Sequence, residues 1–173
     1  MANTYICFNG PMNTTAARVP VTTGSVIKTL LQLKPAANFP LRVVEWGISF
    51  DASAAATPGK VELIDTGTIS GSVTAFAAAD IMPFNDPNAP ANTAGATGVP
   101  LNLDVAASGY TCTSEQAITA TRMLDLQLIA PTGQYIHQFP LGERPAVKPG
   151  NILRVRTTFG AAVNALTYIV FEV

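Results

Sequence analysis

Charge is the scarcest commodity in this chain. Lys and Arg number 10 and Asp and Glu 11, together 12% of 173 residues, against roughly 25% in soluble proteins. A formal net charge of -1 supplies no long-range field, and no run of Lys or Arg is interleaved with aromatics, so nucleic acid is not an expected partner. Long apolar runs are missing too. The longest charge-free stretches, residues 1–17 and 87–103, are broken by Asn, Thr, Gly and Pro, whereas a spanning helix needs about 20 mostly apolar residues. No membrane partner is expected. Residues 1–20 lack the basic start and apolar middle of a secretory signal, which points to a chain made and kept in the cytosol. The two cysteines, Cys7 and Cys112, lie far apart without CxxC spacing, so neither a disulfide framework nor a structural zinc site is indicated. Both read as small buried hydrophobes.

What fills the chain instead is small and neutral: 26 Ala and 20 Thr, within a hydrophobic share of 48% that excludes intrinsic disorder. The length suits one domain, residues 1–173, with a core of useful size. Period two dominates its pattern. In residues 41–50, Val44, Trp46, Ile48 and Phe50 alternate with Val43, Glu45, Gly47 and Ser49, as a half-buried strand requires. Trp46 is thereby expected in the core. Similar alternation marks 26–33, 61–64, 122–129 with Leu124, Leu126 and Leu128 in phase, and 134–139 with Tyr135, His137 and Phe139 in phase. Residues 152–157 and 166–173 add two more strands, the last with almost no polar face and so expected in the middle of a sheet. Residues 5–8, 18–21 and 73–76 are weaker candidates. Turn chemistry at Thr23-Gly24, Thr57-Pro58-Gly59, Thr66-Gly67, Pro131-Thr132-Gly133 and Lys148-Pro149-Gly150 separates these runs. Eight to ten short strands without a convincing amphipathic helix predict an all-β antiparallel sandwich or jelly roll.

Residues 80–108 depart from that rule. Asp80-Ile81-Met82-Pro83-Phe84-Asn85-Asp86-Pro87 runs into small residues and further prolines, too long for a hairpin loop. Two readings stand: a surface excursion, or an extended arm that docks on a neighbouring subunit with Met82 and Phe84 as apolar anchors.

Chemistry is hard to find. General acid–base work needs groups that titrate near neutral pH, and there is one histidine. His137 reads as a strand histidine packed beside Tyr135 and Phe139, and one imidazole makes a His-based metal site implausible. Gly47-Ile48-Ser49-Phe50-Asp51 lacks the second glycine of a nucleophile elbow, and neither phosphate-loop nor calcium-loop spacing occurs. Asp51, Glu62, Asp65, Asp86, Asp104 and Asp125 could meet in a glycosidase-like site, but no motif joins any two. No cofactor, metal or small-molecule substrate is expected. Arg144, Lys148, Arg154 and Arg156 cluster in sequence, with Arg154 and Arg156 on one strand face; an intersubunit or intrasheet salt bridge is their expected use.

Two blocks carry a resemblance. Arg42-Val43-Val44-Glu45-Trp46-Gly47-Ile48-Ser49-Phe50-Asp51 with Pro58-Gly59-Lys60-Val61-Glu62-Leu63-Ile64, and Phe139-Pro140-Leu141-Gly142-Glu143-Arg144 with Ile152-Leu153-Arg154-Val155-Arg156, resemble small structural proteins of tailed bacteriophages, in particular head decoration (minor capsid, cement) proteins. The blocks fall in the second and last quarters of the chain, and residues 80–108 are not matched. The resemblance implies a homotrimer on the outer surface of an icosahedral shell, stapling major capsid subunits without catalysis, found on the virion exterior after synthesis in the host cytoplasm. It brings no active-site residues with it. Met82, Phe84, Arg144, Arg154 and Arg156 are the candidate interface residues. A mean hydropathy of +0.29 without a membrane segment fits a surface that is covered in the working state. A tail or baseplate component would share these features, and a β-sandwich carbohydrate-binding module, with Tyr110 and Tyr135 as platforms, is the rival from another class.

Overall fold

The computed structural model describes residues 3–12, 15–36, 39–51, 57–89, 103 and 107–173. Thirteen strands occur among them: β1 (Thr4–Phe8), β2 (Val21–Thr22), β3 (Lys28–Leu33), β4 (Leu41–Asp51), β5 (Gly59–Asp65), β6 (Ser72–Ala75), β7 (Met82–Pro83), β8 (Gly109–Ser114), β9 (Arg122–Ile129), β10 (Gln134–Gln138), β11 (Ala146–Val147), β12 (Leu153–Thr158) and β13 (Asn164–Glu172). One turn of 3-10 helix at Ala78–Asp80 is the sole helical element described, and no helix there is long and apolar enough to cross a membrane. The strands form two antiparallel sheets, one of seven in the order β10-β4-β13-β1-β7 with β11 on β4 and β2 on β13, the other of six in the order β6-β8-β3-β12-β5-β9. This is an all-β sandwich.

The core lies between the sheets. From the seven-stranded sheet come Tyr5, Cys7, Val43, Trp46, Ile48, Ile169 and Phe171; from the other come Leu31, Leu33, Val61, Leu63, Leu153 and Val155, all at most 2% exposed. β13 sits between β4 and β1, as its two apolar faces foretell. Cys7 and Cys112 are buried and free, and burial pushes both thiols up. Trp46 is fully buried as expected, but its neighbour Val43 departs from the alternation. Phe171 pairs with Val43 while Val170 pairs with Glu45, so Val44 is an extra residue in the ladder and the phase flips there. Val43 therefore joins the core that the alternation assigns to Val44.

Strand β9 holds the second departure. Its leucines look like a core stripe, yet Leu126 and Leu128 stand 46% and 71% exposed, opposite Glu62 and Lys60 of β5. Asp125 and Gln127 pair with Leu63 and Val61, whose side chains are in the core, so the polar pair faces inward and the leucines outward.

The start of the 80–108 stretch is bound to the body of its own subunit. Met82 and Pro83 pair with Ile6 and Tyr5 at the sheet edge, and the Phe84 N–H donates to the Thr4 carbonyl at 2.8 Å. Buried Asp80 also accepts from the Ala77 and Met12 amides, which fastens the N-terminal segment to the same place. Leu103 bridges Pro35; residues 90–102 and 104–106 lie outside the described residues.

Candidate functional site

Of the five sequence-predicted interface residues, three are ion-paired within the chain. Arg156 sits directly opposite Glu62 across β12 and β5, and its Nε and Nη2 both donate to Glu62 Oε2, at 3.0 and 2.7 Å. Arg144 meets Glu172 at 2.6 Å. Arg154 has no exposure at all. Its Nη1 donates to the Glu115 carbonyl and carboxylate at 3.0 and 3.1 Å and its Nη2 to the Ile69 carbonyl at 2.5 Å. The segments carrying Ile69 and Glu115 close over the outer face of the six-stranded sheet, so the expectation that Arg154 reaches a partner is corrected by its own chain. Met82 is half-buried in β7, and Phe84 stands 60% exposed. Other apolar residues are also open to a partner: Leu126 and Leu128 on β9, Ile136 at 57% on β10, Leu141 at 85% just beyond it, and Val19 and Val26 at 73% and 71%. Strand β9 ends one sheet and β10 the other, joined by the short turn at 130–133 along one side of the sandwich; Leu126 and Leu128 stand on the outer face of the first sheet and Ile136 on the outer face of the second.

That side is closed from within by a polar knot. Asp125 Oδ2 accepts from Trp46 Nε1 at 3.2 Å, from the Tyr135 hydroxyl at 2.9 Å and lies 2.6 Å from His137 Nδ1, while Gln127 Nε2 donates to Oδ1 at 2.9 Å. Trp46 and Tyr135 meet edge to face at 5.4 Å, and His137 stacks on Phe139 at 4.2 Å. Burial would raise the Asp125 acid, but the hydrogen bonds from His137, Gln127 and Tyr135 outweigh it and hold the carboxyl below its ordinary range. Burial and the same carboxylate push the Tyr135 hydroxyl up to about 12. The arrangement satisfies the polar atoms of four aromatic or amide side chains with one carboxylate and ties the two sheet edges together without a backbone ladder. Sequence reading named Trp46, Asp125, Tyr135 and His137 separately and missed Gln127. The signal was the polar face of β9, whose partners lie up to 79 residues away.

The remaining carboxylates are dispersed. Glu62 serves Arg156; Asp65 accepts from the Gly67 amide and from Asn151 and faces Arg122 at 3.5 Å beside a surface groove of about 270 Å³; Asp86 caps the Asn88 amide. No hydrogen bond joins any two of them among the described residues, and Asp104 lies outside those residues. No three of His, Cys, Asp and Glu gather as metal ligands among the described residues. The two sequence-predicted sugar platforms are engaged elsewhere: Tyr135 in the Asp125 knot, Tyr110 tilted against Phe76 at 5.5 Å.

A different aromatic surface lies on the outer face of the seven-stranded sheet. Ile136, Gly47, Tyr168 and Phe8 form one row across β10, β4, β13 and β1, with Gln134, Ser49 and Leu166 in the next. A Cβ on Gly47 would stand 2.6 Å from the Tyr168 ring, so the glycine is what lets the tyrosine lie against the sheet. Its hydroxyl donates to Glu45 at 2.5 Å, and Phe8 adjoins it with ring centres 5.8 Å apart.

Comparison of the chain with protein-family models, with curated proteins and with solved structures finds no match.

Proposed function

We propose that this protein is a non-enzymatic structural component of a bacteriophage virion, a homotrimer that binds the outer surface of the capsid and reinforces contacts between major capsid subunits. The observation that carries the proposal is the inverted strand β9. Leu126 and Leu128 face solvent from the outer face of the last strand of the six-stranded sheet. An edge strand with apolar side chains and unpaired backbone groups invites uncontrolled pairing unless something covers it. Sister copies around a closed symmetry axis would cover it and end the chain of contacts. Threefold repetition then multiplies a weak capsid contact into a durable one, and the low charge of the chain makes that attachment insensitive to salt. The sequence blocks that resemble decoration proteins supply the identity of the scaffold. Within the second of these blocks, Leu141 is the most exposed large apolar residue described.

Cosedimentation with expanded capsids tests the reading. Binding that saturates at a fixed ratio and persists at high salt supports it; a chain that pellets with isolated tails and ignores capsids would move it to the tail or baseplate.

A further inference from the structure

We propose a second site, independent of self-association: the hollow on the outer face of the seven-stranded sheet binds a neutral pyranose ring of a surface polysaccharide, stacked on Tyr168. The hollow has a volume of about 200 Å³ and is lined by Phe8, Ile48, Ser49, Gln134, Ile136, Leu166 and Tyr168. Its floor is aromatic and held in place. Tyr168 rests on the bare backbone of Gly47, is tied at its hydroxyl to Glu45, and leans on Phe8, whose ring carries the Arg18 guanidinium at 4.5 Å. A fixed ring on a sheet face offers stacking without the entropic cost of ordering it.

The chemistry of the ligand follows from what surrounds the ring. No charged side chain lines the hollow, and Arg18 is already committed to the Gly10 and Pro11 carbonyls and to Phe8. An anionic ligand would lose hydration without gaining a counter-charge, and the carboxylate nearest the ring, Glu45, is already engaged by the Tyr168 hydroxyl. A β-strand of another protein would pair along the free edge of β10, beside the hollow and not over Tyr168, because β4 and β13 each have a hydrogen-bonded neighbour on both sides. Two groups remain for recognition: the Ser49 hydroxyl and the Gln134 amide, placed opposite each other one row from Tyr168 and making no side-chain hydrogen bond among the described residues. An apolar ring face bordered by unengaged donors and acceptors matches a pyranose, which has an apolar C–H face and a rim of hydroxyls. A flat aromatic ligand would leave Ser49 and Gln134 unanswered.

The test is titration of the full chain with cellohexaose, maltohexaose and chitohexaose, each to about 10 mM, with binding followed by NMR shifts of residues lining the hollow. The expected result is saturable binding of at least one sugar with shifts at Ile136 and Tyr168, weakened about tenfold by Tyr168→Ala. Gln134 is exposed and its replacement leaves the fold intact, so Gln134→Ala must also weaken binding severalfold. Absence of binding by all three sugars, shifts confined to another surface, binding indifferent to Gln134→Ala, or p-cresol competing as well as the best sugar would overturn the site. Loss of sugar binding in a chain that still decorates capsids would leave the structural role untouched.

Discussion

The six-stranded sheet treats the centre and one edge of its outer face in opposite ways. Over β3 and β12 the chain folds back on itself, and the side chains beneath are polar: Gln32 donates to Ser70 and Ala107 and accepts from Gly71, Thr29 binds Glu115, and Arg154 binds Glu115 and Ile69. Over β9 nothing in the described chain folds back, and the side chains are leucines. Each region inverts the usual order of polar outside and apolar inside. The first inversion works because the covering segments supply a partner to each group they bury, with Arg154 Nε the one atom left unpaired. The second makes physical sense when the cover comes from another molecule.

Breaking the self-covered centre should cost most. Arg154→Ala leaves Glu115 in a half-closed site without its counter-charge, and about 3 to 5 kcal/mol of unfolding free energy should be lost in urea titration. Replacing both by leucine should recover most of that loss, which would show that the pair is a specificity device more than a source of stability. On the other side of the sandwich, Trp46→Ala removes a fully buried indole and one donor to Asp125; its cost should be similar, about 3 to 5 kcal/mol. A much smaller loss accompanied by weakened assembly would place Trp46 in an interface instead.

Asp125→Asn is the next step down, about 1 to 3 kcal/mol, since Asn keeps the shape but cannot accept every hydrogen bond that converges on the carboxylate. It also carries a pH signature. Because the folded Asp125 acid is held below its unfolded value of about 3.9, its contribution is complete above that pH and disappears as pH falls through the lower folded value. The variant should lose that part of the acid slope. At the alkaline end, Tyr135 is raised to about 12 from about 10 in the unfolded chain, so stability should fall as pH climbs through that interval, and Tyr135→Phe should flatten the fall. The smallest effect belongs to the exposed leucines. Leu126→Ser and Leu128→Ser should change the unfolding free energy of an isolated chain by no more than about 0.5 kcal/mol while reducing assembly.

Much of the sandwich could be read from alternation. Strand β9 has the boundaries the pattern assigns, and β4 and β13 differ from it by one or two residues. Strand β8 escapes the alternation for a local reason: Thr111 has a positive φ of 51°, and the register with β6 shifts by two residues between Tyr110 and Ser114, so no clean period survives. β7 and β11 are two residues long and leave no periodic trace. A period of two also says that a strand has two faces without saying which is inner. That ambiguity decides β9: Leu126 and Leu128 look like core until Trp46, Tyr135 and His137 are seen to need the carboxylate on the opposite face, while Leu124, at the register shift, does pack against the core. Among the arginines, the expected intrasheet salt bridge is made by Arg156 with Glu62, whereas the burial of Arg154 had no signal in the pattern. Arg154 and Arg156 share a face, as read, but the covering segments that bury one and leave the other at 13% exposure are set by tertiary closure.

Sedimentation equilibrium of the intact chain, alongside Leu126→Asp/Leu128→Asp, tests most directly whether β9 is covered in trans. The expected outcome is a three-chain species for the wild type and single chains with unchanged secondary structure for the double variant. A wild type that stays a single chain at every concentration, or a double variant that still forms threes, would contradict it.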